Sequence, residues 1–294
     1  MNQNKEPNPP ILIVGMARSG TTLVSHIFGS TKNVHIEIEP HALWKTGNFK
    51  YLSDVEFDIT DEIVSRIRSK FTKDLNGKTL IEKSPINSLR PEMVHAVFPD
   101  AKIIYVDRDP VRCIYSNYIR SVHKDSFKLS LILKKYFVYT GSHDLSGAIS
   151  DRKLFQQLAV ADLPDFVRYT IRMFSLRRKG LLPFGPKLKN FVNIVKTKGL
   201  LAYHVDVYMA SMKCKEIYKD LYGDNFKVFK MEEIMNDPEQ TKSLLRFVNI
   251  PFTEDLVKNI YSSFDTKRVT ESIKSNAIDN EIIALLQSQF FIEH

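Results

Sequence analysis

Three short stretches of this 294-residue chain combine cations, hydroxyls and free backbone N–H groups in ways that suit an anion. The first is Gly15-Met-Ala-Arg-Ser-Gly-Thr-Thr22, which has the G-x-x-x-x-G frame of a phosphate-binding loop. Its glycines allow a tight turn and close approach of the backbone to a ligand. The N–H groups of Ser19, Gly20, Thr21 and Thr22 fall at a helix start, where they have no helical partner and the helix dipole adds partial positive charge. Loops that serve a γ-phosphate place lysine after the second glycine. Here Thr21 stands in that place and the cation comes earlier, as Arg18.

The second stretch is Ile103-Ile-Tyr-Val-Asp-Arg-Asp-Pro-Val-Arg-Cys-Ile-Tyr-Ser116. Asp109 is a good N-cap and Pro110 a good first helical residue. Arg108, Arg112 and Ser116 recur every fourth position, so Arg112 and Ser116 share a helix face and Arg108 sits near it. Guanidiniums and a hydroxyl converging there suit a phosphate dianion. The third stretch is Glu82-Lys-Ser-Pro85, where Lys83 follows an apolar run. Glu37, Glu39 and His41 offer bases nearby in Glu37-Ile-Glu-Pro-His41.

These residues need strands and helices to hold them. Ile11–Val14, Thr79–Glu82, Lys102–Val106 and Phe226–Lys230 read as strands. Helices are expected from Thr21, over Asp58–Thr72, Arg90–Phe98, Pro110–Val122, Tyr203–Leu221, Pro238–Val248 and Glu254–Phe264, and at the C-terminus. Strand and helix alternate through the first 120 residues or so, which indicates an α/β fold with a mostly parallel central sheet flanked by helices. Gly15, Lys83 and Arg108 each follow the end of an expected strand. In a parallel sheet those ends share one edge, where ligands bind. Residues 125 to 225 or so read as a largely helical, basic insertion. The chain reads as one domain over residues 1–294, with residues 1–9 a disordered lead-in and Asp265–Asp279 a polar loop.

Arg18-Ser-Gly-Thr-Thr-Leu23 resembles the 5′-phosphosulfate loop of sulfotransferases that use 3′-phosphoadenosine 5′-phosphosulfate (PAPS), and is nearest their tyrosylprotein and bacterial branch. That branch usually has proline before the arginine, where this chain has Ala17. Arg108-Asp-Pro with Ser116 resembles the family's 3′-phosphate motif. The resemblance implies a P-loop-like fold and sulfuryl transfer from PAPS to a hydroxyl acceptor, with release of PAP and no metal. It implies that Arg18, Ser19, Gly20, Thr21 and Thr22 hold the 5′-phosphosulfate and that Arg108 and Ser116 hold the 3′-phosphate. It further implies that Lys83 stabilises the transferring group. Glu39 lies 21 residues beyond Arg18, where the branch carries its catalytic base. Glu37 and His41 are its rivals. The likeness is good over residues 11 to 123, fair over 226 to 252, and barely reaches 125 to 225, the region expected to select a small-molecule or glycan acceptor. The loop with Lys267, Arg268, Ser272 and Lys274 occupies the place of the family's basic C-terminal loop.

Bulk properties limit the other readings. The formal charge of +8 suits a polyanionic ligand, an anionic membrane surface or nucleic acid, but no nucleic-acid-binding signature accompanies it. No apolar run is long enough to span a bilayer and the N-terminus lacks a signal-peptide core, so a cytoplasmic address is expected. Peripheral membrane contact stays open, through basic residues such as Arg177, Arg178, Lys179, Lys187 and Lys189. The oligomeric state is not readable. Cys113 and Cys214 read as free thiols, and no His/Cys cluster has zinc-ligand spacing. Two alternatives remain. One is a magnesium-dependent phosphotransferase or NTPase with Asp107 as the metal-organising residue, which the missing loop lysine opposes. The other is a non-catalytic polyanion-binding module.

Overall fold

The computed structural model describes residues 8–73, 75–123, 158–262 and 276–290. Its elements are, in order, β1 (Ile11–Val14), α1 (Thr21–Gly29), β2 (Val34–Ile38), α2 (His41–Trp44), α3 (Asp61–Thr72), β3 (Thr79–Lys83), α4 (Pro91–Val97), β4 (Lys102–Asp107) and α5 (Pro110–Val122). Then come α6 (Leu163–Arg178), α7 (Phe191–Tyr222), β5 (Phe226–Lys230), α8 (Met231–Asn236), α9 (Pro238–Phe247), α10 (Glu254–Ser262) and α11 (Asn276–Phe290). A 3₁₀ turn, Pro85–Leu89, links β3 to α4.

The five strands form one sheet in the order β2-β3-β1-β4-β5. Every neighbouring pair is parallel. An all-parallel sheet must be covered on both faces, and its strands read as continuous apolar runs. Ile-Leu-Ile-Val in β1 does so, with all four residues buried. Alternate residues serve opposite cores. Ile11, Ile13, Ile81, Ile104 and Val106 pack with α1, α8, α9 and α10. Leu12, Val14, Leu80, Ile103 and Tyr105 pack with α2, α3, α4 and the end of α7.

Local chemistry sets the helix starts. Asp109 accepts from the Arg112 N–H at 2.8 Å, with Pro110 at the first helical position, and Asp237 with Pro238 repeats the arrangement before α9. Thr60 caps α3 through the Ile63 N–H. The parallel α/β architecture expected from the sequence is therefore present. Three elements were not expected, β2, α2 and α8. Val34-His-Ile-Glu-Ile38 alternates apolar and polar residues as a strand does, but its polar positions, His35 and Glu37, pair with each other at 3.0 Å. The helix expected from Tyr203 begins earlier, at Phe191, with a break at Gly199 (φ 83°, ψ 173°) that only glycine adopts readily. Residues 1–7, most of the expected insertion before Leu158, and the basic loop at Lys267–Lys274 lie outside the described residues.

Candidate active site

Strand register brings the motifs to one edge. Ile13 and Ile38 both lie beside Lys83, and Val14 lies beside Tyr105. Gly15, Glu39, Lys83 and Arg108 therefore emerge together at the carboxyl end of the sheet, the edge where open α/β sheets bind ligands.

The loop from Gly15 to Thr22 is held in a form that side chains would obstruct. A Cβ on Gly15 would stand 2.5 Å from the Val106 carbonyl oxygen and 2.7 Å from Ser19 Oγ. Gly20 has φ +102°, and a Cβ there would reach 2.3 Å from Met231 Sδ. Arg18 itself is left-handed, at φ +70°, a conformation that costs a non-glycine residue energy. The α5 helix pins the loop from one side, because Asn117 Nδ2 donates to the Ala17 carbonyl at 2.7 Å. Thr21 is buried and Thr22 exposed. Ser19 Oγ is buried and has no hydrogen-bond partner. A buried hydroxyl left unpaired beside free helix N–H groups fits an anion bound in the cradle.

The second motif meets the first directly. Arg18 Nε donates to Ser116 Oγ at 3.0 Å, and an Arg108 terminal nitrogen donates to the Arg18 carbonyl at 2.7 Å. Arg108 Nε is buried without a partner. The Arg18 guanidinium titrates below the usual arginine range, through burial first and then through the charges of Arg108 and Arg120. Crowded like charges with spare donors are arranged for a polyanion, which would relieve both. Arg112, the weaker candidate, is exposed. Asp107 accepts from the Arg108 N–H at 2.9 Å and pairs with Lys215 at 3.2 Å.

Glu39 is placed by backbone and charge together. Its N–H donates to the Lys83 carbonyl at 2.7 Å, extending the β2–β3 pairing by one bond. It is left-handed, at φ +51°, and Pro40 follows at φ −74°, ψ 62° with the His41 N–H donating to the Glu39 carbonyl at 2.7 Å. That is an inverse γ-turn, which the proline ring pre-sets. The turn aims the carboxylate back over the sheet edge. Lys83 Nζ lies 2.8 Å from Glu39 Oε1, and His41 Nε2 lies 3.6 Å from Oε2. Lys83 has 2% of its side chain exposed and Glu39 28%, so the ammonium lies beneath a reachable carboxylate. Glu37, a rival base, is buried against His35 on the opposite pleat of β2 from Ile38. His41, the other rival, lies beside Glu39 with its side chain 36% exposed.

A buried polar network under this edge was not anticipated as such. Trp44 Nε1 and Asn87 Nδ2 each donate to Glu82 at 2.9 Å. Arg90 Nε donates to Asn87 Oδ1 at 3.0 Å, and the Tyr218 hydroxyl donates to the Asn87 carbonyl at 2.7 Å. Burial pushes the Glu82 carboxyl up to about 7, against the pull of the Trp44 hydrogen bond and of Arg90 and Lys83. Asn87 and Arg90 are scaffold, buried within this network. The α6–α7 connection also reaches the loop. A Cβ on Gly185 would lie 3.2 Å from Ala17 Cβ, and the Phe184 N–H donates to Ser121 Oγ at 3.0 Å. The Tyr203 hydroxyl donates to the Pro186 carbonyl at 2.9 Å and so anchors this connection. Gly185, at φ +80°, is a sequence signal for this close approach, because glycine adopts that backbone most readily.

The chain is a parallel α/β protein with an anion-suited loop, two converging arginines and a carboxylate–ammonium pair at one sheet edge. Residues 47–145 match the model of the sulfotransferase family. The matched stretch contains Lys83, Arg108 and Ser116 and begins after Arg18 and Glu39, so it bears out the family resemblance from residues other than the loop that first suggested it. It supports an enzyme of the sulfotransferase type. No curated protein sequence matches the chain. Solved structures that resemble it include the sulfotransferase domain of the Synechococcus PCC 7002 olefin synthase, at 14% identity and TM-score 0.48, covering 98% of this chain and 97% of that one. A sulfotransferase from Alicyclobacillus acidocaldarius resembles it at 16% identity and TM-score 0.44, over 97% and 96% of the two chains. Mouse sulfotransferase SULT7A1 complexed with PAP does so at 14% identity and TM-score 0.43, over 90% and 66%. Likenesses this distant carry no weight for substrate or mechanism.

Proposed function

We propose that the chain, as a single domain, transfers a sulfuryl group from PAPS to a hydroxyl acceptor, in the manner of the tyrosylprotein and bacterial branch. The observation that carries this reading is the Glu39–Lys83 pair, 2.8 Å apart, beside a loop that has an anion cradle but no γ-phosphate lysine.

The residues divide the work as follows. The backbone N–H groups of Ser19 to Thr22, with Ser19 Oγ, hold the 5′-phosphosulfate, and Arg18 supplies charge beside them. Arg108 and Ser116 hold the 3′-phosphate, and the spare Arg108 Nε is a donor ready for it. Glu39 takes the proton of the acceptor hydroxyl while its oxygen attacks sulfur. The bond from sulfur to the bridging phosphate oxygen breaks, and its electron pair leaves with PAP. Lys83 and the loop N–H groups stabilise the charge that develops there. The turn at Pro40 leaves Glu39 partly exposed to an acceptor while Lys83 stays buried beneath it. The acceptor is a small molecule or glycan.

A metal-dependent phosphotransferase is the weaker reading because Asp107 is engaged by Lys215 and by the backbone N–H of Arg108, where a magnesium-organising carboxylate would be available. The test is incubation with PAPS and a panel of hydroxyl acceptors, with product followed by mass and PAP by chromatography. Stoichiometric sulfated product and PAP, unaffected by a chelator, are expected. Consumption of ATP with magnesium, and none of PAPS, would overturn the proposal.

A further inference from the structure

Helix α6 turns an apolar stripe to the outside. Leu163, Val167, Ile171 and Phe174 recur at helical spacing on one face, and all are exposed, Val167 at 52% and Ile171 at 63%. The opposite face does the packing. Phe166 and Tyr169 meet Phe49 with ring centroids 5.3 and 5.9 Å away, and Phe166 also packs on Ala42. The outward stripe is thus surplus to what holds the helix in place. Scattered exposed apolar residues need no explanation, but an aligned row of four along one helix does.

The charge around the stripe says what it suits. The helix carries four arginines and one aspartate, and that aspartate, Asp165, is paired with Arg168 at 3.1 Å. Arg168 and Arg172 border the stripe along one side, Arg178 lies over the Phe174 ring at 5.0 Å, and Lys179 follows at the end. Arginines flanking an apolar row can lay their stems along it and raise their charged heads to a layer of anions. A helix of this length, about 24 Å, is too short and too charged to cross a bilayer but is well formed to lie along one. No described helix is long and apolar enough to cross a membrane. The whole chain carries +8, which adds long-range attraction to the same surface.

We infer that α6 docks the protein on an anionic lipid surface, with Leu163, Val167, Ile171 and Phe174 in the acyl boundary and Arg168, Arg172 and Arg178 among the headgroups. The docking does not depend on the reaction proposed above. It does bear on it, because α6 rests on Ala42 and Phe49 in the segment that follows Glu39, so a docked helix brings the carboxylate's side of the molecule towards the membrane. Acceptors would then be hydroxyls presented at that surface.

The experiment is sedimentation of the purified chain with phosphatidylserine–phosphatidylcholine vesicles and with pure phosphatidylcholine vesicles, at low and high salt. Binding to the anionic vesicles, much weaker on neutral ones and reduced by salt, is expected. The double variants V167E/I171E and R168E/R172E should each lower the partition coefficient by about tenfold or more while keeping the parent's thermal midpoint. If the first pair perturbs folding, the second, confined to exposed arginines, still decides the matter. No binding of the parent to anionic vesicles at low salt would overturn the inference, as would binding that neither double variant weakens. So would a parent dimer that V167E/I171E converts to monomer with vesicle binding unchanged, which would assign the stripe to a second copy of the chain.

Discussion

At the carboxyl edge of the sheet, Arg18 and Glu39 hold left-handed backbones, and Ser19 and Arg108 keep buried polar atoms without partners. Across Ser121, in the long α7 helix, Tyr203, Tyr218 and Tyr222 each donate to a backbone carbonyl, and the apolar face packs against α4, α5 and α11. The edge combines left-handed non-glycine backbone with open hydrogen-bonding capacity, while α7 pairs those three tyrosines and leaves His204 Nδ1 as its buried atom without a partner. Strain of this kind persists where surrounding structure enforces it, and it concentrates at sites of function. The contrast implies that substitutions at the edge should change binding and turnover with modest effects on stability. Those in the helical part should do the reverse.

The largest expected effect tests the edge. Glu39→Gln should lower turnover by about 100- to 10,000-fold with PAP affinity kept, measured by steady-state kinetics and calorimetry. Turnover near that of the parent would remove Glu39 as the base. Gly15→Ala should cost about 1–3 kcal/mol in stability, because its Cβ meets the Val106 carbonyl, and should lower PAP affinity by more than tenfold. Here the edge alone should respond in both measurements, since the glycine is at once packing and ligand cradle.

Phe166→Ala tests the other side of the comparison. It empties the contact with Ala42 and Phe49 and should cost about 3 kcal/mol in denaturant unfolding, with PAP affinity unchanged. A large loss of PAP affinity would break the division between the two regions.

Glu82 belongs to the scaffold yet titrates near neutrality. Folded, it binds its proton more tightly than the unfolded chain does, so its contribution is fully present below pH 4.5 and is lost as pH rises through about 7. Stability should therefore fall by up to about 3 kcal/mol across that window from this group. Glu82→Gln should flatten that slope in denaturant titrations at several pH values, and an unchanged slope would contradict it.

Much of this was legible because parallel strands announce themselves. Ile11–Val14 and Ile103–Val106 are unbroken apolar runs, and the Gly15–Thr22 loop follows the first directly and Asp107 and the Arg-Asp-Pro motif the second. The strand β2 was missed because its two polar residues hide in a buried His35–Glu37 pair, and it is this strand that delivers Glu39. The family resemblance pointed to Glu39 among Glu37, Glu39 and His41, but only the register of β2 against β3 brings its carboxylate to Lys83. Trp44, Glu82 and Asn87 join from three separate elements, a contact that no local pattern encodes. The outward stripe of α6 was hidden by the opposite problem. Periodicity marks an apolar face, and only the fold shows that Phe166 and Tyr169, not Val167 and Ile171, are the residues that pack.

The smallest expected effect bears on the central claim. Arg108→Ala should weaken PAP by about 10- to 100-fold and leave ADP nearly unchanged, because only PAP carries the 3′-phosphate. The most direct measurement is calorimetric titration of the parent chain with PAP, ADP and ATP with magnesium in one buffer. The account predicts micromolar binding of PAP without metal and much weaker binding of ADP. Preference for ATP with magnesium, or equal binding of PAP and ADP, would contradict it.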